Sequence, residues 1–311
     1  MSVNLAGIPL ATPVVLLSGC VAFGEDLFHI KGFPWSAVGA ICLKGTTLEP
    51  RAGNAPHRVA ETPSGLLNAI GLQNPGARAV VETILPRLTG RLAPWPVQLI
   101  ANIAGSTVEE YGEVARIFDD SPVAGIEINI SCPNVKKGGA AFGADPEVAA
   151  RVVAEVRKAT SKPLFTKLSP NVTDIRLMAR VAMEAGSDGL SVINTLMGMA
   201  IDIRNRQAIL GNVQGGLSGP AIKPIALLKV WQVWQELREK KVPIIGQGGI
   251  ASARDGIEFF LAGASAIGLG TALFRQPLLP GKVVSGMRRY LEEEGVSRVS
   301  DLTGTLGVGG A

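Results

Sequence analysis

The chain has 311 residues, of which 47% are apolar and 18% charged, enough apolar material for one large core; this excludes a disordered or solvated scaffold. Thirty basic and 26 acidic residues leave a net charge of +4, and because the two signs are interleaved, neither a nucleic-acid stripe nor a polybasic membrane patch is expected. With two histidines and three cysteines, the latter at 20, 42 and 132 without a C-x-x-C pair, the composition excludes a multi-histidine metal site, an iron–sulfur cluster and an internal disulfide framework, and points to a cytosolic protein.

Near the amino terminus Leu17-Ser18-Gly19-Cys20 copies a lipoprotein cleavage site. No basic residue precedes Lys31, and Pro9 and Pro13 break the apolar stretch, so the segment is expected to be a strand end rather than a signal. Eight short apolar, β-branched runs then follow in order: 13–18, 38–44, 97–102, 125–130, 163–167, 189–193, 243–246 and 266–269. Amphipathic segments at 107–119, 145–160, 173–185, 220–240 and 252–262 predict crossover helices. Asp145-Pro146 and Ser252-Ala253 have the form of a cap and first turn, and Gly186 and Gly263 stand where a left-handed residue ends a helix. The stretch 261–274 is too short and glycine-rich to span a membrane. His29 and His57 fall in surface-like contexts, and a Ser-His-Asp triad would need one of them.

Continuous apolar strands alternating with helices imply parallel pairing with both faces covered, and eight repeats fit a closed α/β barrel, (β/α)8, better than an open doubly wound sheet. The whole chain, 1–311, is expected to form this single domain. In such a barrel the carboxyl ends of all strands meet at one mouth. Here those ends are Ser18-Gly19, Lys44-Gly45, Asn102, Asn129 to Cys132, Lys167, Asn194-Thr195, Gly248-Gly249 and Gly270-Thr271, all glycine or able to hydrogen-bond.

The glycine-rich turns after the last two strands are placed where barrels hold a phosphate on backbone N–H groups. A dinucleotide fingerprint is missing after the first strand, so a phosphorylated cofactor in the mouth is expected. Lys44 and Lys167 end apolar strands, where a lysine is costly unless it meets an anion. Asn68, Asn129, Asn134 and Asn194 add paired donors and acceptors suited to a planar imide or ureide ring. Cys132 differs from Cys20 and Cys42, which have the setting of inert small hydrophobes: it lies among polar groups at the mouth, where a thiolate can act as base or nucleophile.

The runs NISCPNVKKGG (129–139), TPSGLLNAIGLQNPG (62–76), TKLSPNVTDI (166–175), INTLMG (193–198), GGLSGPAIKP (215–224) and GASAIGLGTALF (263–274) resemble the dihydroorotate dehydrogenase family, most of all the catalytic subunit of its class 1B. The resemblance extends from about residue 3 to 290. It implies a TIM barrel with FMN at the carboxyl-terminal mouth and extended loop insertions, and oxidation of dihydroorotate to orotate in pyrimidine biosynthesis. Cys132 matches the base that takes the C5 proton while a hydride leaves C6. Ser18, Lys44, Gly45, Asn102, Asn129, Lys167, Ile193, Gly219, Gly248, Gly249, Gly270 and Thr271 match FMN-binding positions. Lys44, Asn68, Ala69, Ile70, Gly71, Leu72, Asn129, Asn134, Asn194 and Thr195 match positions that hold orotate. Gly45 replaces an expected alanine, and His57 lies where a smaller residue is usual.

The resemblance also implies a partner subunit carrying FAD and a [2Fe-2S] cluster that passes electrons to NAD+, with a homodimer core inside a heterotetramer. The segments 46–75 and 196–218 are candidates for a site cover and an interface. Three alternatives stay open at this point: a class 1A enzyme that reduces fumarate, another flavin barrel acting on pyrimidines, and a non-catalytic phosphate-binding barrel.

Overall fold

The computed structural model describes residues 1–130 and 143–307. Eight parallel strands, β1 (Val14–Leu16), β2 (Ala40–Cys42), β3 (Gln98–Ile103), β4 (Gly125–Asn129), β5 (Leu164–Leu168), β6 (Gly189–Val192), β7 (Ile244–Gln247) and β8 (Ala266–Leu269), pair in chain order and close into a barrel. Each lies within or within a residue of an expected run. The second is the most shortened, so Lys44 stands just past its end.

Strand alternation divides the side chains into two sets. Leu16, Ile41, Leu99, Ala101, Ile126, Ile128, Leu164, Leu190, Val192 and Ile267 pack outward against the helices. Val15, Ala40, Cys42, Ile100, Phe165, Ile245 and Ala266 fill the barrel interior. Burying each Val, Leu, Ile or Phe in these layers contributes roughly 1.5–3 kcal/mol, which makes closure favourable. Toward the carboxyl ends the same inward parity continues as Asn102, Glu127, Lys167, Ser191 and Gln247, all buried; the interior is apolar below and polar above.

The lower end is plugged by a feature absent from the sequence reading. Strands Val3–Leu5 and Ile8–Leu10 form a hairpin whose Ala6 and Gly7 both have positive φ, and its Leu5, Ile8 and Leu10 join the interior cluster.

The helices of eight residues or more among the described residues are α1 (Leu85–Leu92), α2 (Val108–Asp119), α3 (Pro146–Ala159), α4 (Ile175–Glu184), α5 (Lys223–Leu237), α6 (Ala253–Leu261) and α7 (Leu279–Glu293). Side chains of Thr107, Asp145, Asp174 and Ser252 cap α2, α3, α4 and α6 by accepting first-turn N–H groups, contacts worth about 1 kcal/mol each. Gly186 and Gly263 follow α4 and α6 at φ +110° and +118°, as expected. Helices α1 and α7 had no counterpart among the expected segments. No helix among the described residues is long and apolar enough to cross a membrane, and His29 and His57 are exposed.

The two long excursions pair with each other. Val59–Thr62, Gly65–Asn68, Gly215–Ser218 and Leu196–Gly198 form a four-stranded antiparallel sheet in that spatial order. Leu67 stands opposite Leu217 and Asn68 opposite Gly216, and Ala60, Leu67, Ala69 and Leu210 make a small separate core. A further hairpin, Ile201–Asp202 with Gln207–Ala208, extends from the second excursion.

Candidate active site

The carboxyl ends of the strands and the four-stranded sheet enclose a cavity of about 410 Å3, within the range of small-molecule sites. Its wall brings together Ser18, Lys44, Gly45, Asn102, Asn129, Lys167, Ile193, Gly219, Gly248, Gly249, Gly270 and Thr271 from the barrel side. Asn68, Ala69, Ile70, Gly71 and Leu72 enter from the first excursion, and Asn194 and Thr195 from the end of β6. Cys132 and Asn134, singled out in the sequence, lie outside the described residues.

The floor is electrostatically organised. Lys167 Nζ is 3.4 Å from Glu127 Oε1, both side chains being under 10% exposed. Burial pushes the Lys167 pKa down, but the Glu127 carboxylate outweighs it and holds the ammonium above its usual range. Burial likewise pushes Glu127 up, and Lys167 with hydrogen bonds from Ser191, Cys42 and Asn102 outweighs it, leaving the carboxylate below its usual range. The position of Lys167 at the end of an apolar strand leads one to expect a ligand anion beside it; within the protein it meets the carboxylate of Glu127, which the sequence does not disclose. Lys44 makes no ion pair among the described residues, and burial lowers its pKa. Cys20 also lines the cavity; burial raises it to about 11, so it stays a thiol at neutral pH.

Asparagines shape the side facing the sheet. Asn68 Nδ2 donates to Gly216 O at 3.2 Å, tying the first excursion to the second. Asn194 Oδ1 accepts from Thr195 N at 2.8 Å, and Asn171 Nδ2 donates to Thr195 O at 3.0 Å. Tyr111 Oη donates to Asn129 O at 2.8 Å, fixing the end of β4 from below. Asn74, also absent from the sequence reading, donates to Thr47 Oγ1 and Leu72 O and accepts from Thr47 N and Gly76 N; it pins the loop that carries residues 69–72.

At the opposite end, Gly219, Gly248, Gly249, Gly270 and Thr271 make a backbone-lined recess. Gly249 has φ +84°, and a Cβ there would come within 2.8 Å of Lys223 Cβ and 2.9 Å of Gly219 O, so no other residue fits without displacement. Thr271 Oγ1 donates to Ser218 Oγ at 2.8 Å. The neighbouring Lys223 is engaged by Asp255 and Glu258 at 2.6 and 2.7 Å, which leaves N–H groups and hydroxyls to meet an anion in the recess. Among the described residues no cluster of His, Cys, Asp or Glu is arranged to hold a metal.

A closed parallel barrel with cations, oriented amides and a glycine recess gathered at its carboxyl mouth is the architecture of a (β/α)8 enzyme. Residues 1–291 match the family model described as dihydroorotate dehydrogenase, and the chain belongs to that family of oxidoreductases. It is 52% identical over 307 residues to the "Dihydroorotate dehydrogenase B (NAD(+)), catalytic subunit" of Pelobacter propionicus, covering 98% of each chain. Proteins of the same description from Geotalea uraniireducens (51% over 307 residues, 98% of each chain) and Anoxybacillus flavithermus (50% over 305 residues, 98% of this chain and 95% of the relative) are similarly alike.

Proposed function

We propose that this chain is the catalytic subunit of an NAD+-linked, class B dihydroorotate dehydrogenase, oxidising dihydroorotate to orotate with FMN held at the barrel mouth. The observation that carries the reading is the cavity, which gathers every described residue matching a cofactor or substrate position of the family.

The residues present fit FMN. Asn102 Oδ1 and Gln247 Oε1 are buried acceptors with no donor among the described residues, as a site made for a ring bearing N–H groups would have. The glycine recess of 219, 248–249 and 270–271 suits a terminal phosphate. Lys167 supplies positive charge at the floor, which favours an anionic ring. When bound, FMN supplies the acceptor for the hydride that leaves C6 of the substrate.

The chain's own residues do the rest. Lys44 meets the substrate carboxylate, and Asn68, Asn129, Asn134 and Asn194 exchange hydrogen bonds with the ring amide groups. Thr195 and the backbone of residues 69–72 close the remaining edge. Cys132, as thiolate, takes the C5 proton; this role rests on the SCPN motif. The sheet built from the two excursions covers the site and keeps water from it. In keeping with relatives described as the catalytic subunit of an NAD(+)-linked enzyme, the chain passes electrons to a partner with FAD and [2Fe-2S], which reduces NAD+. Exposed Met199, Ile201, Ile203 and Val213 on the second excursion support an assembling subunit, since clustered exposed apolar side chains mark interaction surfaces.

The test is a purified, FMN-loaded chain mixed anaerobically with dihydroorotate. The flavin bleaches in the wild type, and Cys132→Ala retains FMN and orotate binding but reduces the flavin at least a hundredfold more slowly near neutral pH, in line with the ~10²–10⁴-fold contribution of a general base. A colourless protein that takes up no FMN overturns the flavin reading, and unchanged kinetics removes Cys132 from the mechanism. Co-expression with an FAD/iron–sulfur subunit gives NAD+-dependent turnover; efficient fumarate reduction by the isolated chain assigns it to class 1A instead.

A further inference from the structure

The polar upper layer of the barrel interior contains one group that does not line the cavity yet touches two groups that do. Glu127 on β4 is 1% exposed. Its Oε1 accepts from Asn102 Nδ2 at 2.5 Å, Cys42 Sγ at 3.1 Å and Lys167 Nζ at 3.4 Å, and its Oε2 accepts from Ser191 Oγ at 2.5 Å. The donors stand on β2, β3, β5 and β6, so one carboxylate ties together five consecutive strands.

An ionised carboxylate only accepts hydrogen bonds. Asn102 must therefore turn its NH2 group toward Glu127, and its Oδ1 is left beside Gly45, at the mouth, with no donor among the described residues. Lys167 is subject to the same control, because an ammonium this deeply buried keeps its charge by virtue of the opposite charge beside it. Both features of the floor, a cation and an outward-facing acceptor, trace back to Glu127.

Resting on the flavin reading above, we propose that Glu127 is a positioning residue for the cofactor: through Lys167 and Asn102 it sets how strongly this site favours reduced, anionic FMN over the oxidised form. The negative charge behind Lys167 keeps that lysine protonated where burial would otherwise take its proton, and so maintains the positive field at the floor. Removing the charge lets the lysine lose its proton, and the field weakens.

The experiment is a redox titration of the FMN-loaded wild type, Glu127→Gln, Glu127→Asp and Ser191→Ala. Glu127→Gln keeps the shape and removes the charge; Lys167 then loses its proton, and reduced FMN becomes favoured at least tenfold less than in the wild type, a midpoint fall of about 30 mV for a two-electron couple. Ser191→Ala takes one donor from the carboxylate without touching the cavity wall and leaves the charge in place, so its midpoint stays within about 10 mV of the wild type. A fall confined to the Glu127 variants separates the proposal from general loosening of the barrel, which moves all the midpoints alike. A Glu127→Gln midpoint equal to or above the wild type, or an equal shift in Ser191→Ala, overturns it. If Glu127→Gln fails to fold, Glu127→Asp, whose shorter carboxylate stands farther from Lys167, decides: a lower midpoint supports the proposal and an unchanged or higher one overturns it. A wild type that binds no FMN overturns the flavin reading and this proposal with it, whereas a loaded wild type with unmoved variants overturns only the role of Glu127.

Discussion

Lys44 and Gly45 occupy adjacent positions at the mouth, and each makes a separate test of it. Burial, with Cys20 opposing and Lys167 adding to it, sets the Lys44 pKa below that of a free lysine. Lys44, proposed to meet the substrate carboxylate, is charged below that pKa, so orotate, an anion, is expected to bind best there and to weaken as pH rises through the depressed value, ahead of the ~10.4 of an ordinary lysine. Lys44→Met removes this alkaline limb and weakens orotate about tenfold to a hundredfold at neutral pH, as loss of a charged hydrogen bond worth roughly 1.5–3 kcal/mol requires; titrating orotate at several pH values checks both. At Gly45 a Cβ would lie 2.8 Å from Asn102 Oδ1 and 3.2 Å from Leu72 Cδ2. Because Asn102 is clamped at 2.5 Å to Glu127, it has little room to yield, and Gly45→Ala lowers FMN affinity about tenfold, or ~1.4 kcal/mol, when flavin is titrated into stripped protein. Lys167 was recognisable in the sequence as a cation in need of an anion. Its partner was not, because Glu127 and Lys167 meet only through strand pairing, and register between strands is a tertiary property.

At the scale of elements, apolar runs bounded by polar ends disclosed all eight barrel strands, and amphipathic periodicity disclosed α2 to α6, with cap signals at Asp145 and Ser252 for α3 and α6. The two helices that escaped are α1 and α7. The turns leading into α1 start at Gly76 with no side-chain cap, pass through a π-helical stretch Val80–Ile84, and then meet Pro86 and Gly90. Helix α7 has no side-chain cap either and contains Pro280, Gly281 and Gly286. Propensity counts against both, and packing on the barrel overrides it. The hairpin at residues 3–10 escaped for a related reason: its turn is Ala6-Gly7, and alanine is not a residue that favours positive φ. Loops can be tested in the same terms. Asn74 satisfies four groups of its own loop, so Asn74→Ala destabilises the protein by about 1–3 kcal/mol and raises KM for dihydroorotate more than it lowers kcat. Thermal melts and steady-state kinetics together check this, and equal KM values would show that residues 69–72 keep their place without it.

For the whole molecule, the sequence disclosed the barrel and the composition of its mouth but not the sheet that covers it, since strands from residues 59–68 and 196–218 carry no mark of each other until they pair. The proposed cofactor binds only the folded chain, so FMN at a hundred times its Kd stabilises it by about 2.7 kcal/mol, and melting temperatures of loaded and stripped protein differ accordingly; equal melting temperatures count against a tight flavin site. The covering sheet also has a consequence in time. Its last strand ends at Ser218, whereas the glycine recess proposed for the phosphate is finished only at Thr271. A ribosome delivers the chain from the amino terminus, so the roof leaves the exit tunnel before the anchor does. The proposed phosphate recess is thus complete only when nearly the whole barrel has been made, and flavin is expected to load onto the finished chain rather than during its synthesis.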